Sequence, residues 1–243
     1  MTAARLATTA ISTFRTSKLG EPLDACEDVA FWLQQPDGMR VALSDGATTS
    51  TFSGEWALRL VQWFARRTVH PDPAALARIA PVLGKRWLDW VRRRPLPWHA
   101  EEKLRDGSFA TLLGVTVTNE GWQAIAIGDT CLFQVRDGAL LSSFPYASSE
   151  EFAARPILAS TRAEASYSIP DSIRLARGEL QDRDMLVMAT DGLAQWLLRS
   201  VELETEPWAI FSQGVDALRA VVDEERVHRR MRNDDICCAW LTI

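Results

Sequence analysis

The chain has 243 residues, with 27 Lys and Arg against 32 Asp and Glu and a net charge of −5. Hydrophobic residues make up 47% and charged residues 24%, too apolar a composition for disorder and that of a globular protein with a sizeable core. This balance excludes a globally basic nucleic-acid binder, and no window approaches the ~18 apolar residues of a membrane-spanning helix.

In chain order, the opening MTAARLATTAISTFRTS makes a poor signal peptide, because scattered Thr interrupts any apolar run. The block up to about Gly46 reads as the strands TAISTF, DVAFWLQ and MRVALSDG, the last two joined by a turn at Pro36, Asp37 and Gly38. A helix follows. Ser53 is its expected cap and Glu55 suits its dipole. Trp56, Leu60, Trp63 and Phe64 recur at helical spacing, a core-facing stripe rather than a ligand box. A second helix runs from Pro73 to Pro95, with Arg92, Arg93 and Arg94 in its last turn. Beside Trp87, Trp90 and Trp98, those cations read as complements of a helix C-terminus rather than a nucleic-acid surface.

The chain then returns to strands: SFATLLGVTVT, WQAIAIGD, TCLFQVRDG and ALLSSF. Their connections are too short for crossovers, so an antiparallel meander is expected. A loop-rich segment over about 145–182 is long for a compact domain and reads as a flap. The strand DMLVMATDG, a short helix AQWLLRS, a helix from about Pro207 to Arg229 and the strand DICCAWLTI close the sequence. No repeat, low-complexity tract or linker divides the chain, so one α+β domain over 1–243 is expected. Cys26, Cys131, Cys237 and Cys238 fit no zinc spacing and read as reduced thiols of a cytoplasmic protein. His70, His99 and His228 lie far apart in polar surroundings, which argues against a His-rich metal site.

A pattern recurs at the strand ends. Apolar runs finish on an acid in VALSDG (Asp45), AIAIGD (Asp129) and LVMATDG (Asp191), and the last strand opens on Asp234 and Asp235. Glu27 and Asp28 open the second strand. A lone Asp-Gly is a common turn, and Asp106–Gly107 and Asp137–Gly138 read as turns. Asp45 and Asp191 lead toward helices instead, where capping is the competing role. Several carboxylates gathered together repel unless protonated or bridged by cations. An all-oxygen set selects hard cations, Mg²⁺ or Mn²⁺, and two such ions can activate water against phosphorus.

These residues resemble the metal-dependent serine/threonine phosphatases of the type-2C (PPM) family, in its bacterial form. The matching order is CEDVAF, VALSDG before SGEWA, GSFATLLGVTV, AIAIGDTCLFQVRDG, LVMATDGL and DDICCAWLTI. The resemblance implies a four-layer α-β-β-α sandwich, two central antiparallel sheets flanked by helices. It implies two tightly bound Mn²⁺ or Mg²⁺ ions and a third, weaker one. By position, Asp45 is the bridging carboxylate and the Gly46 carbonyl a ligand of one metal. Asp191 and Asp234 are ligands of the other, and Asp129 belongs to the weaker third site. Glu27 and Asp28 match the acidic pair that holds metal-bound waters, with Asp28 counted among the metal residues and Asp235 beside Asp234 as an added charge.

The chain also departs from the family. Leu23 stands where the phosphate-binding Arg is expected, and Lys18 or Arg15 is the nearest substitute. Ala47 replaces a His found in some members, and the following glycine-rich run is ATTSTFS. The expected activity is hydrolysis of phosphoserine and phosphothreonine in proteins by metal-activated water, without a phosphoenzyme. The implied partners are a phosphorylated protein and a cognate Ser/Thr kinase, with neither nucleic acid nor membrane. Two rivals are a pseudophosphatase that only binds phosphoproteins and a hydrolase of small phosphorylated metabolites.

Overall fold

The computed structural model describes residues 10–95, 104–162 and 169–243. Its strands are β1 (Ile11–Thr16), β2 (Val29–Gln35), β3 (Gly38–Ser44), β4 (Phe109–Ala110), β5 (Leu112–Thr118), β6 (Gly121–Ile127), β7 (Cys131–Arg136), β8 (Ala139–Phe144), β9 (Ala159–Ser160), β10 (Arg174–Gly178), β11 (Asp184–Ala189) and β12 (Ile236–Thr242). They form two five-stranded antiparallel sheets, β1-β12-β11-β7-β8 and β10-β6-β5-β3-β2, with β4 and β9 as a small separate pair.

Side-chain alternation along the strands assigns each sheet an inner and an outer face. Met39, Val41, Leu43, Leu113 and Val115 point inward and meet Leu186, Met188, Ala239 and Leu241 of the other sheet. On the outer face of the β3 sheet, Ala42, Leu112, Ile125 and Ile127 pack against helices α1 (Ser53–Ala65) and α2 (Pro73–Val91). The expected stripe makes these contacts: Trp56, Leu60 and Phe64 are fully buried, while Trp63 is only partly so. Outside the other sheet, Phe133, Val187, Cys238 and Trp240 pack against α3 (Asp191–Glu202), a short helix Ala209–Gln213 and α4 (Val215–Val227). Three apolar cores therefore separate four layers, α-β-β-α. All four cysteines are free and buried, and no described helix is long and apolar enough to cross a membrane.

Several local expectations change. β1 is described from Ile11, opposite Leu241 of its partner β12, to Thr16, opposite Ile236, while Thr9, where the strand is expected to begin, lies outside the described residues. The four-strand meander is split: β5 and β6 pair in one sheet, β7 and β8 in the other, and residues 128–130 carry the chain across. The supposed flap contains β9 and also β10, which pairs with β6 as an edge strand. RLARG lacks apolar alternation because an edge strand with a half-exposed face does not require it. Residues 163–168 of that segment, with Trp98 and His99, lie outside the described residues.

The helix ends shift too. Phe52, at a φ of 53°, is the residue before α1, and Ser53 lies inside the helix with its hydroxyl donated to Glu27. Asp72 caps α2 by accepting from the Ala75 amide at 2.6 Å. That helix stops at Val91, so Arg92–Arg94 follow it rather than fill its last turn, and Arg94 stacks 3.1 Å over the Trp90 ring. The expected long helix over 207–229 breaks at Gly214, whose φ of 96° is not helical.

Gly114 of β5 explains how closely α1 seats on its sheet. A Cβ there would lie 2.4 Å from the Phe64 ring. Gly114→Ala is expected to cost about 1–3 kcal/mol by overpacking. Urea unfolding checks this, and Phe64→Leu in the same chain should recover part of the loss. An unchanged midpoint in the single variant would contradict the packing.

Candidate active site

Register brings the strand-end acids to one end of the sandwich. Ser44, just before Asp45, is paired with Val29, just after Asp28. Ala189, two residues before Asp191, pairs with both Cys131 and Cys238, which places Asp129 and Asp234 nearby. Leu43 opposes Leu113, and Leu112 opposes Ile127, so the 128–130 crossing emerges beside Asp45. Asp129 is therefore not a hairpin residue; it sits in a link between sheets.

An open cavity of about 340 Å³ results. Asp45, Asp129, Asp191 and Asp234 line it together with Thr48, Thr111, Arg232 and the wall 152–156. Asp28 and Glu27 lie outside that lining. Asp28 is buried, and its neighbour Glu27 accepts the Ser53 hydroxyl. Backbone bonds fix the frame. The Asp45 amide donates to Thr111 Oγ1 at 2.8 Å, and the Thr111 amide returns a bond to the Asp45 carbonyl at 2.9 Å. The Cys237 amide donates to Thr190 Oγ1 at 2.9 Å, which locks the two strand ends that carry Asp191 and Asp234. Asp191 opens α3, where the helix dipole favours a carboxylate. Gly46 fits where a side chain does not: a Cβ would lie 2.8 Å from Ser53 and 3.0 Å from the Glu27 carbonyl.

The charges are arranged against one another. Burial first, then Asp28, Asp191, Asp129 and Asp234, hold the Asp45 carboxyl well above the usual carboxylate range. Burial, then Cys26 and Asp191 among others, does the same to Asp28. Burial and Asp234 raise Asp191, while burial and Asp191 push Asp129 to about 7. Glu27 is raised chiefly by burial. Asp28 Oδ2 and Asp129 Oδ1 are buried without a hydrogen-bond partner.

Two cations answer part of this charge. Arg232 Nη1 lies 2.9 Å from Asp191 Oδ2, and its Nη2 3.8 Å from Asp234 Oδ2. Lys18 Nζ lies 3.4 Å from Asp234 Oδ1 and donates to Thr48 Oγ1 at 3.0 Å. Asp235 acts on backbone instead, where its carboxylate accepts the Lys18 amide at 3.1 Å and the Glu27 amide at 2.9 Å. Arg226, buried at the end of α4, donates to the Ser17 and Asp234 carbonyls. Leu19 donates its amide to Asn233 Oδ1 at 2.7 Å. These bonds pin the 17–19 loop to the 233–235 loop and bring Lys18 to the acids.

Arg226 and Arg232 were not among the sequence candidates. Their only signal was cationic residues just ahead of Asp234–Asp235, in a stretch that reads as helix end. Arg15 turns away and donates to the Cys26 carbonyl. Leu23 is largely exposed.

Among the described residues, no three His, Cys, Asp or Glu side chains stand close enough to hold a metal as they are arranged here. Asp191 and Asp234 face Arg232 and Lys18 instead. The donor set nevertheless fits hard divalent cations: it is all oxygen, two buried carboxylate oxygens have no partner, and several carboxyls are held high by their neighbours.

The family described as protein phosphatase 2C matches residues 23–233. No curated protein sequence matches. Among solved structures, the catalytic domain of the serine/threonine phosphatase PstP, in complex with two manganese ions, superposes with a TM-score of 0.61 at 15% identity, covering 96% of this chain and 97% of that one. Stp1 from Staphylococcus aureus gives 0.64 at 12% identity, covering 97% and 95%. The photosystem II phosphatase PBCP gives 0.62 at 15%, covering 97% and 99%. At these identities the likeness is one of fold.

The raised carboxyls set a pH dependence. A carboxyl whose folded pKa is raised contributes stability below its unfolded pKa, and that contribution is lost as pH rises through the folded value. For Asp129 the window runs from about 4 to about 7. In chelator, the melting temperature is expected to fall as pH rises through this window, and Asp129→Asn should flatten the slope. A profile identical to that of the unsubstituted chain would contradict the charge assignment.

Proposed function

The chain belongs to the protein phosphatase 2C family, one of metal-dependent serine/threonine protein phosphatases, and from this premise we propose that it hydrolyses phosphoserine and phosphothreonine in proteins with two divalent cations, Mn²⁺ or Mg²⁺. The observation that carries the reading is the convergence of Asp45, Asp129, Asp191 and Asp234 on one cavity, with Asp28 buried beside them. We assign the phosphatase unit to residues 1–243 as a single domain.

Asp45, the Gly46 carbonyl, Asp191 and Asp234 would hold the two cations, with Asp129 serving a third, weaker one. When bound, such ions lower the pKa of a water and offset phosphoryl charge. The rest falls to the chain. Asp28 and Glu27, the latter fixed by Ser53, supply acceptors that orient water behind Asp45. Lys18, held at Thr48 and Asp234, offers a point charge to the phosphoryl oxygens in place of the missing Arg. Arg232 neutralises Asp191 until cations arrive. Its side chain is half exposed, so it can leave without breaking the core. The phosphoprotein is preferred to a small metabolite because the chain belongs to a family of protein phosphatases.

A regulatory, non-catalytic reading draws on two observations, the exposed Leu23 and the arginine seated on Asp191. Turnover separates the two. With Mn²⁺, the unsubstituted chain should release phosphate from a phosphothreonine peptide. Asp191→Ala should lose at least about a hundredfold in kcat/KM, roughly 2.7 kcal/mol of barrier, and bind Mn²⁺ more weakly by calorimetry. Peptide binding without any Mn²⁺-dependent turnover in the unsubstituted chain would favour the non-catalytic reading.

Lys18→Ala is expected to raise KM for the same peptide while leaving Mn²⁺ affinity unchanged. Kinetics equal to those of the unsubstituted chain would return Lys18 to the solvated surface.

A further inference from the structure

Arg40 occupies an unusual position at the other end of β3. It lies five positions before Asp45, about 17 Å along a strand. Its neighbours Met39 and Val41 face the inter-sheet core, so Arg40 points to the outer, helix-bearing face, just beyond the end of α1. It is only 4% exposed. Its Nε and Nη1 are buried without any hydrogen-bond partner. A guanidinium taken out of water without an acceptor is costly, and buried charges are ordinarily paired.

Arg40 lines an open cavity of about 710 Å³. Strand register lays its floor as a row, Arg40 opposite Thr116, Thr116 opposite Gln123, and Gln123 opposite Arg177 on the edge strand. The chain leaving α1 forms the opposite wall with Thr68, Val69 and His70. Arg67 faces the adjoining groove, which shares Thr68 and Val69. Its Nε is also buried without a hydrogen-bond partner, although its guanidinium lies 5.3 Å over the Trp63 ring. Arg40 is weakened as a cation by burial above all, with Asp37 supporting its charge and Arg67 opposing it. His70 is not in the polar setting its sequence suggested. It stands edge-on to Phe64 with Nδ1 2.9 Å from Thr116 Oγ1, and burial and Arg40 lower its pKa to about 4, so it adds no charge. Exposed Asp37, Glu120 and Glu179 stand at the rim, and none forms an ion pair with Arg40. In a chain of net charge −5, Arg40 and Arg177 from separate strands line this cavity with Arg67 in the groove beside it, and Arg40, the buried one, forms no ion pair among the described residues.

We propose that this cavity binds the phosphate group of a small molecule, with Arg40 as its principal anchor and Arg67 and Arg177 as supporting charges. Arginine forks match phosphate oxygens. The donors come from the sheet floor and the edge strand, with Arg67 in the groove beside them. The cavity exceeds what free phosphate fills, and exposed Val69 gives apolar wall for the body of a larger ligand. The site is separate from the aspartate cavity and shares no lining residue with it.

The test is an amide and arginine Nε NMR titration of the full chain loaded with diamagnetic Mg²⁺, with inorganic phosphate and with phenylphosphonate, whose C–P bond the enzyme does not hydrolyse. Saturable shifts are expected at Arg40 Nε–H, Thr68 and His70. Shifts at Gly46 and Gly192 report product-like binding at the other end and do not count. Equal affinities for the two probes would identify the free oxyanion as sufficient, whereas tighter phenylphosphonate would identify an organic phosphate. Arg40→Met should weaken binding at least about tenfold, the scale of a lost charge-assisted bond, and should melt no lower than the unsubstituted chain because an unpaired buried charge is removed. Arg67→Ala is the second variant, expected to weaken the same binding less. Absence of saturable shifts around the cavity with both probes would overturn the proposal. So would retention of affinity within twofold in Arg40→Met.

Discussion

Asp28, Asp45, Asp129, Asp191 and Asp234 cannot all remain ionised at one end of a sandwich without positive charge among them. Burial and mutual repulsion already hold four of these carboxyls above their ordinary range. Each could take up a proton, attract an arginine or lysine, or bind a metal. The structure uses the second device at Asp191 and Asp234, through Arg232 and Lys18. It leaves oxygens of Asp28 and Asp129 without partners. The proposed function rests on the third device, because divalent cations satisfy more of these oxygens at once than two flexible side chains do.

The scaffold tolerates that repulsion because it is anchored elsewhere. Three apolar cores hold the four layers together, and none depends on the acid end. What does depend on it is the attachment of the 17–19 loop. Asp235 commits both carboxylate oxygens to the Lys18 and Glu27 amides, and Arg226 bonds the Ser17 and Asp234 carbonyls. Asp235, the added charge beside Asp234, is thus used to fix backbone, and through it the position of Lys18.

Much of the site is legible in the sequence because each candidate acid follows or precedes an apolar strand. Local pattern places Asp45, Asp129, Asp191 and Asp234 each at a strand end, and strand register then brings those ends together. Features governed by distant partners are not legible. β10 reads as loop since its only claim to be a strand is pairing with β6. The split of β5–β8 between sheets turns on residues 128–130, whose sequence also suits a hairpin. Ser53 has the composition of a cap, yet Glu27, 26 residues earlier, takes its hydroxyl. Arg232 and Arg226 look like surface charge near a helix end until the fold closes them over Asp191 and Asp234.

The most direct measurement is diffraction at the manganese absorption edge from crystals grown with Mn²⁺. Two strong anomalous peaks are expected in the cavity bounded by Asp45, Asp191 and Asp234, with Arg232 displaced from Asp191. Crystals that leave Arg232 on Asp191 and show no anomalous peak among these aspartates would contradict the binuclear site.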